Sequence, residues 1–208
     1  MAWMGISDLP TFALAVLVFL AIPGPGTFAL LTATGRGGLR AGFATLCGLA
    51  LGDQILMWLA ALGVAALLAA HPALLVALQW LGAGYLVWIG VGLLRSRDSG
   101  GDNATDAAAT GRRWFRQGLL VTLLNPKAIL FYMAFFPLFV DPARHRGLAT
   151  FAAMAVVILV LTFGYCLLLI AAGHALRARI AREPRVATWL RRIAGLALVG
   201  FGVRMATN

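Results

Sequence analysis

A long apolar segment near the N-terminus is interrupted by two prolines, and this interruption constrains the fold more than any other feature. Residues 9–33 are long enough to cross a bilayer as a helix, which needs about 20 mostly apolar residues. The interruption is Pro23-Gly24-Pro25-Gly26. Because proline has no N–H, the carbonyls of Phe19 and Ala21 lose their helical donors. Unpaired backbone is tolerated in hydrocarbon only where protein buries it or where it lines a watery cavity. We therefore expect a broken transmembrane helix beside a polar site.

The composition is that of a chain with several membrane spans. Of its 208 residues 62% are hydrophobic and 12% are charged, and the mean hydropathy is +0.91. A soluble domain is usually about half apolar and a quarter charged. The net charge of +10 does not indicate nucleic-acid binding, because the basic residues cluster between apolar segments, as they do in cytoplasmic loops of membrane proteins.

Six apolar segments predict an all-α membrane protein with six transmembrane helices. The first and the fourth are long and each is interrupted by proline, at Pro23 and Pro25 and at Pro126. The predicted spans cover residues 9–34, 42–70, 72–94, 114–140, 147–173 and 189–206.

The distribution of basic residues predicts the orientation, because cytoplasmic loops carry an excess of arginine and lysine. If the N-terminus is outside, thirteen arginines fall in the three cytoplasmic loops, within residues 36–40, 95–116 and 177–192. Three arginines fall outside, and Lys127 lies within a span. We therefore expect both termini on the outer, periplasmic side.

Residues 96–111 form the only long polar stretch and predict a flexible cytoplasmic linker. The linker divides the chain into residues 1–95 and 112–208, with three spans each. Since each part has an odd number of spans, the two parts must be inverted relative to each other. Inverted repeats are common in secondary transporters, and interrupted hydrophobic segments at matching positions of the two halves indicate the binding site.

The second interruption is Leu124-Asn125-Pro126-Lys127. Asn followed by Pro is typical of an N-cap and first helical residue, and Gly24 and Pro25 can begin a half-helix in the same way. Helix N-termini present free N–H groups and favour anions such as a carboxylate, and Lys127 would strengthen this preference. The alternative at both positions is a plain kink whose backbone is satisfied by neighbouring helices.

Asp53 is the only acidic residue well inside a span, and it follows Gly48 and Gly52, whose spacing lets another helix approach closely. A charged side chain at the bilayer centre costs roughly 2.5–3.5 kcal/mol on insertion scales, and such residues are usually functional. Three roles remain open for Asp53: it carries a coupling proton, it binds a substrate ammonium, or it forms a structural ion pair with Lys127 or Arg36.

Two further polar residues have simpler interpretations. Arg36 lies at the cytoplasmic end of the first span, either as a determinant of topology or as part of a gate that attracts anions. Gln54 points about 100° away from Asp53 on a helix and is expected to make an interhelical hydrogen bond. The chain shows no spacing typical of a catalytic triad, a zinc site or a phosphate loop. We therefore expect neither an enzyme nor a metal or cofactor site.

The order and spacing of several motifs resemble the LysE/RhtB superfamily of bacterial amino-acid exporters, and the RhtB-like homoserine/threonine exporter branch is the most similar. The motifs are Pro23-Gly24-Pro25, Gly35-Arg36-Gly37-Gly38, Gly52-Asp53, Gly82-Ala83-Gly84-Tyr85-Leu86, Leu124-Asn125-Pro126-Lys127-Ala128 and Phe135-Phe136-Pro137. The resemblance implies a six-span homodimer that exports amino acids or close derivatives across the bacterial inner membrane, driven by the proton gradient.

These observations combine into one hypothesis about the site. The substrate carboxylate would bind at the half-helix N-termini near Pro25 and Asn125-Pro126, supported by Lys127, while Asp53 would carry the proton or hold the substrate ammonium. A passive channel or a small-ion exchanger is the alternative, since exposed carbonyls at helix breaks also coordinate ions. The sequence does not specify which amino acid is exported.

Overall fold

The computed structural model describes residues 4–63, 72–95, 107–140, 147–180 and 184–207. These residues are helical apart from short connections and a single β-bridge between Ile6 and Val140. The α-helices are α1 (Leu9–Ala21), α2 (Pro25–Ala61), α3 (Pro72–Arg95), α4 (Ala107–Leu123), α5 (Pro126–Leu130), α6 (Leu148–Ile180) and α7 (Pro184–Thr207). A π-helical turn, Phe131–Phe135, and a 3₁₀ turn, Phe136–Phe139, continue the chain after α5.

The helix α2 reverses direction in its middle, at Gly38. This residue has φ 69° and ψ −159°, which is a conformation that favours glycine. A straight helix would hold residues eight apart about 12 Å from each other. Instead, a Cβ at Gly42 would lie 2.6 Å from Oγ1 of Thr34. Residues 25–37 and 39–61 therefore form two separate arms that fold back on each other.

Glycines bring the second arm of α2 into direct backbone contact with α4. A Cβ at Gly48 would collide with the carbonyl oxygen of Phe115, and one at Gly52 would lie 2.7 Å from Cβ of Thr122. On the opposite helix, a Cβ at Gly118 would collide with the carbonyl oxygen of Thr45. The GxxxG spacing before Asp53 therefore serves the close helix approach that the sequence predicts.

A second glycine contact joins α3 to α7, where a Cβ at Gly90 would lie 2.7 Å from the carbonyl oxygen of Gly195. Apolar clusters fill the spaces between the helices. One cluster connects the first arm of α2 to α3, α4 and α7 through Ala29, Leu86, Val121 and Leu198. Another connects both arms of α2 to α6 through Leu30, Leu46, Leu49, Cys166 and Ile170.

Several helix ends differ from the predicted spans. α4 begins at Ala107, inside the segment that the sequence predicts as a linker, while residues 96–106 lie outside the described residues. α6 continues to Ile180 and α7 begins already at Pro184. Residues 64–71, which hold the predicted turn between the second and third spans, also lie outside the described residues.

Two described helical segments are long and apolar enough to cross a membrane by length and composition: Pro25–Ala61, which the reversal at Gly38 divides into two arms, and the part of α6 from Leu148 to Ala175. Shorter apolar helical stretches are Leu9–Ala21, Ala83–Gly92 and Arg192–Phe201. Many large apolar side chains lie on the outer surface, including Leu14, Trp88, Leu168 and Leu196. Such a surface suits a lipid environment.

Candidate functional site

The chain leaves helical geometry between α1 and α2. α1 ends at Ala21, and Gly24, in an extended conformation, is the N-cap of α2 with Pro25 as its first residue. The first backbone bond of α2 runs from the N–H of Phe28 to the carbonyl of Gly24, at 3.1 Å. The preceding N–H groups, those of Gly26 and Thr27, therefore have no acceptor within the helix.

A second interruption separates α4 from α5. Asn125 is the N-cap of α5, as expected, and its Oδ1 accepts a hydrogen bond from the backbone N–H of Lys127 at 3.1 Å. Its carbonyl accepts the first helical bond, from the N–H of Ile129 at 2.9 Å. Pro126 stands at the first helical position, where a missing N–H costs nothing.

The side chain of Lys127 connects the two interruptions. Its Nζ donates hydrogen bonds to the carbonyls of Phe19 and Ile22, each at 2.6 Å, and lies 4.5 Å from the centroid of the Phe19 ring. The carbonyl of Phe19 is one that loses its helical donor, because residue 23 is proline. The ammonium thus binds the C-terminal end of α1, where the helix dipole is negative.

Asp53 is buried, with 6% of its surface exposed. The hydroxyl of Tyr132, from the π-helical turn after α5, reaches the Asp53 carboxylate, and the hydroxyl of Thr162 on α6 lies beside it. Oγ1 of Thr162 has no partner within normal hydrogen-bond distance, although the residue is only 2% exposed. A buried hydroxyl without a partner loses its hydrogen bond to water without replacement, so Thr162 offers an open hydrogen-bonding position next to the carboxylate.

One cavity of about 60 Å³ connects these features. A single water needs about 10–15 Å³ on the same measure, so the cavity holds several waters or a small solute. The helix breaks contribute Gly24, Gly26, Thr27, Asn125 and Lys127, and the other polar groups are Asp53, Thr122, Thr162, Tyr165 and Cys166. The apolar wall consists of Phe19, Leu20, Leu30, Leu49, Ala128 and Leu169.

Of the nine residues predicted for the site, five line this cavity: Gly24, Gly26, Asp53, Asn125 and Lys127. The three prolines, Pro23, Pro25 and Pro126, adjoin the lining residues without lining the cavity themselves. Arg36 does not line it either; this residue is exposed beside the reversal at Gly38.

Sequence reasoning missed three polar residues of the site: Tyr132 and Thr162, which lie beside Asp53, and Thr122, which lines the same cavity. Each is a polar side chain inside an apolar segment, and this polarity is the only feature of the sequence that could have indicated a role in the site. For Thr162, periodicity could not identify the face it occupies, because apolar residues surround α6 on all sides. Gln54 does make the predicted interhelical bond, from its Nε2 to the carbonyl of Ala155 at 3.2 Å.

The chemistry of the cavity suits a small zwitterion. Uncapped N–H groups at the start of α2 can receive an anionic group, and the Asp53 carboxylate with the Thr162 hydroxyl can receive an ammonium. Among the described residues no group of three or more His, Cys, Asp or Glu side chains could hold a metal ion. Helix breaks beside a polar cavity in an apolar helical bundle are a common feature of secondary membrane transporters.

Comparison with known proteins identifies the family. Residues 17–208 match the family described as LysE type translocator. The chain belongs to this family and is therefore a membrane transport protein and not an enzyme.

The chain is similar over its full length to several bacterial proteins. An uncharacterised membrane protein of Pseudomonas aeruginosa is 40% identical over 212 residues, covering 100% of this chain and 98% of the relative. The leucine efflux protein of Salmonella typhimurium is 35% identical over 206 residues, covering 98% and 96%. The leucine efflux protein of Klebsiella pneumoniae is 34% identical over 208 residues, covering 99% and 98%. No solved structure matches the chain.

Proposed function

We propose that this protein exports leucine or closely related apolar amino acids across the bacterial inner membrane, driven by the proton gradient. One observation carries the proposal: residues with uncapped N–H donors and a buried carboxylate line one cavity that also has an apolar wall. An amino acid has a carboxylate for the N–H donors, an ammonium for the buried carboxylate and a side chain for the apolar wall.

The substrate carboxylate binds the N–H groups of Gly26 and Thr27 at the start of α2, with the amide of Asn125 on the facing helix break. The ammonium of Lys127 adds positive charge nearby, although its hydrogen bonds go to carbonyls of α1. The substrate ammonium, or a coupling proton when the site is empty, binds at Asp53. Competition between proton and substrate for one carboxylate links export to the proton gradient.

The apolar wall provides the preference for the side chain. Leu30, Leu49 and Leu169 line the cavity, and no described lysine, arginine or acidic residue other than Asp53 and Lys127 lines it. A branched aliphatic side chain fits such a wall, whereas a second charge would lose its hydration without a partner. The names of two relatives, leucine efflux proteins, point to the same substrate class.

The transport cycle in this proposal uses six spans arranged as two inverted repeats, with both termini in the periplasm and the subunits paired as a homodimer. The helix contacts support the repeats. Exchanging the two halves turns the contact between residues 39–61 and α4 into a contact between α6 and α1. Such a contact exists in the apolar cluster that holds Phe12 and Val16 of α1 together with Met154 and Ile158 of α6. The same exchange leaves the contact between α3 and α7 unchanged, because these helices are the last helix of each half.

Counterflow in proteoliposomes tests the proposal against the alternative of a passive channel. Vesicles preloaded with unlabelled leucine should accumulate radiolabelled leucine transiently, because a carrier exchanges one substrate for another while a channel does not. Unlabelled isoleucine or valine should compete with the labelled leucine, and lysine should not. Absence of counterflow with every amino acid, together with downhill ion flux, would instead favour the channel or small-ion exchanger.

Two leucines on the same helix test the substrate position. Leu49 lines the cavity and is 6% exposed, whereas Leu51 is 43% exposed and does not line it. We expect Leu49→Ala to weaken competition by leucine about tenfold or more, since removed methylene contacts are each worth about 1–3 kcal/mol. Leu51→Ala should leave competition unchanged. Equal effects of the two substitutions would contradict this placement of the substrate.

A further inference from the structure

The end of α1 presents two backbone carbonyls to a single cation, which is the ammonium of Lys127. The carbonyls of Phe19 and Ile22 both point at one Nζ atom, at 2.6 Å each. Broken helices of transporters use such unwound carbonyls and half-helix C-terminal ends to coordinate Na⁺. The ring of Phe19, 4.5 Å away, presents its face to the same charge.

The sequence explains why these carbonyls are available to a cation. Pro23 removes the donor for the Phe19 carbonyl, and the chain leaves the helix at Ile22. The stem of Lys127 runs over Gly24, since a Cβ at Gly24 would lie 3.6 Å from Cδ of Lys127 and 3.8 Å from its Nζ. The ammonium is thus held by the packing of its own side chain.

We infer that the ammonium of Lys127 is a tethered cation, which occupies a monovalent-cation site at the end of α1 and makes a dissociable metal ion at this position unnecessary. Because Lys127 belongs to α5 and the carbonyls belong to the end of α1, these hydrogen bonds also link the first helix break to the second. Removal of the amine should leave an empty site that small cations can fill. The inference depends on the proposed function only for the transport readout below.

Thermal unfolding of the purified protein in detergent tests the vacant site directly. In Lys127→Ala, Tm should fall by about 6 °C or more, because two charge-assisted hydrogen bonds are lost. Methylammonium or Na⁺ should recover at least half of this loss relative to choline at equal ionic strength. Lys127→Met, whose side chain refills the space without charge, should lose stability without recovery.

The inference would be overturned if methylammonium and Na⁺ stabilise Lys127→Ala no more than they stabilise Lys127→Met or the wild type. A second measurement needs no variant: replacement of Na⁺ by choline should leave leucine counterflow of the wild type unchanged, and a Na⁺ requirement would overturn the inference. If the wild type shows no leucine counterflow at all, the proposed function fails, while the unfolding series still decides the role of Lys127.

Discussion

The close contact between α4 and the second arm of α2 depends on the absence of a side chain at Gly48. A Cβ at this position would collide with the carbonyl oxygen of Phe115 and lie 2.8 Å from the backbone nitrogen of Leu119. Both atoms belong to the backbone, so no rotamer change can relieve the collision. Gly48→Ala must therefore separate the two helices, and with them Asp53 and the helix break at Asn125.

The size of the effect follows from two opposing contributions. Overpacking costs about 1–3 kcal/mol, and a backbone collision belongs at the upper end of this range. Alanine also gains about 1 kcal/mol over glycine as a helix former. The net destabilisation is about 2 kcal/mol, which corresponds to a fall in Tm of about 4–8 °C for a chain of this length.

Thermal unfolding of the detergent-purified variants measures this change, and Gly84→Ala is the matched control. Gly84 lies in α3, and a Cβ there would meet no atom within 4 Å. Only the gain in helix propensity of about 1 kcal/mol remains, so Tm should rise by about 2–4 °C. If Gly48→Ala were as stable as Gly84→Ala, the close approach of α2 and α4 would be wrong.

Substitutions at three further positions test individual contacts. Asn125→Ala removes the N-cap of α5 and should cost about 1 kcal/mol, whereas Asn125→Ser keeps a capping oxygen and should remain near the wild-type Tm. Gln54→Met removes the bond to the Ala155 carbonyl and should also cost about 1 kcal/mol; an unchanged Tm would show that this bond is absent in the protein. Thr162→Val removes a hydroxyl that has no partner within normal hydrogen-bond distance, so Tm should change little. Leucine affinity measured by counterflow should fall about fivefold or more if the hydroxyl binds substrate, and unchanged affinity would exclude it from the site.

The helix breaks illustrate what can be predicted from the sequence. Proline chemistry is local, so the orphaned carbonyl of Phe19 and the cap at Asn125 follow from residues at fixed spacing. The partner of the Phe19 carbonyl was not predictable in the same way. Lys127 was expected to support an anion at its own helix terminus, yet its side chain reaches back to the end of α1. Long-range contacts of a flexible side chain are determined by tertiary packing.

The surroundings of Asp53 show a second limit. The GxxxG spacing predicts a close helix approach but does not identify the partner helix, which is α4. Three different elements, α4, the π-helical turn and α6, contribute Thr122, Tyr132 and Thr162, and only the folded bundle brings these side chains to the carboxylate or its cavity. The reversal at Gly38 shortens the connection between the first two predicted spans to a single residue, since one glycine with positive φ suffices.

Proton-driven transport by an Asp53→Asn variant tests the central claim most directly, because the substitution keeps the size of the side chain while it removes the charge and the titration of the carboxylate. The assay is uptake of radiolabelled leucine into proteoliposomes under an imposed pH gradient. The control is Asp8→Asn, at an exposed carboxylate beside the start of α1. We predict that Asp53→Asn abolishes gradient-driven uptake while Asp8→Asn retains it. Undiminished gradient-driven uptake by Asp53→Asn would contradict the account and remove Asp53 from the mechanism.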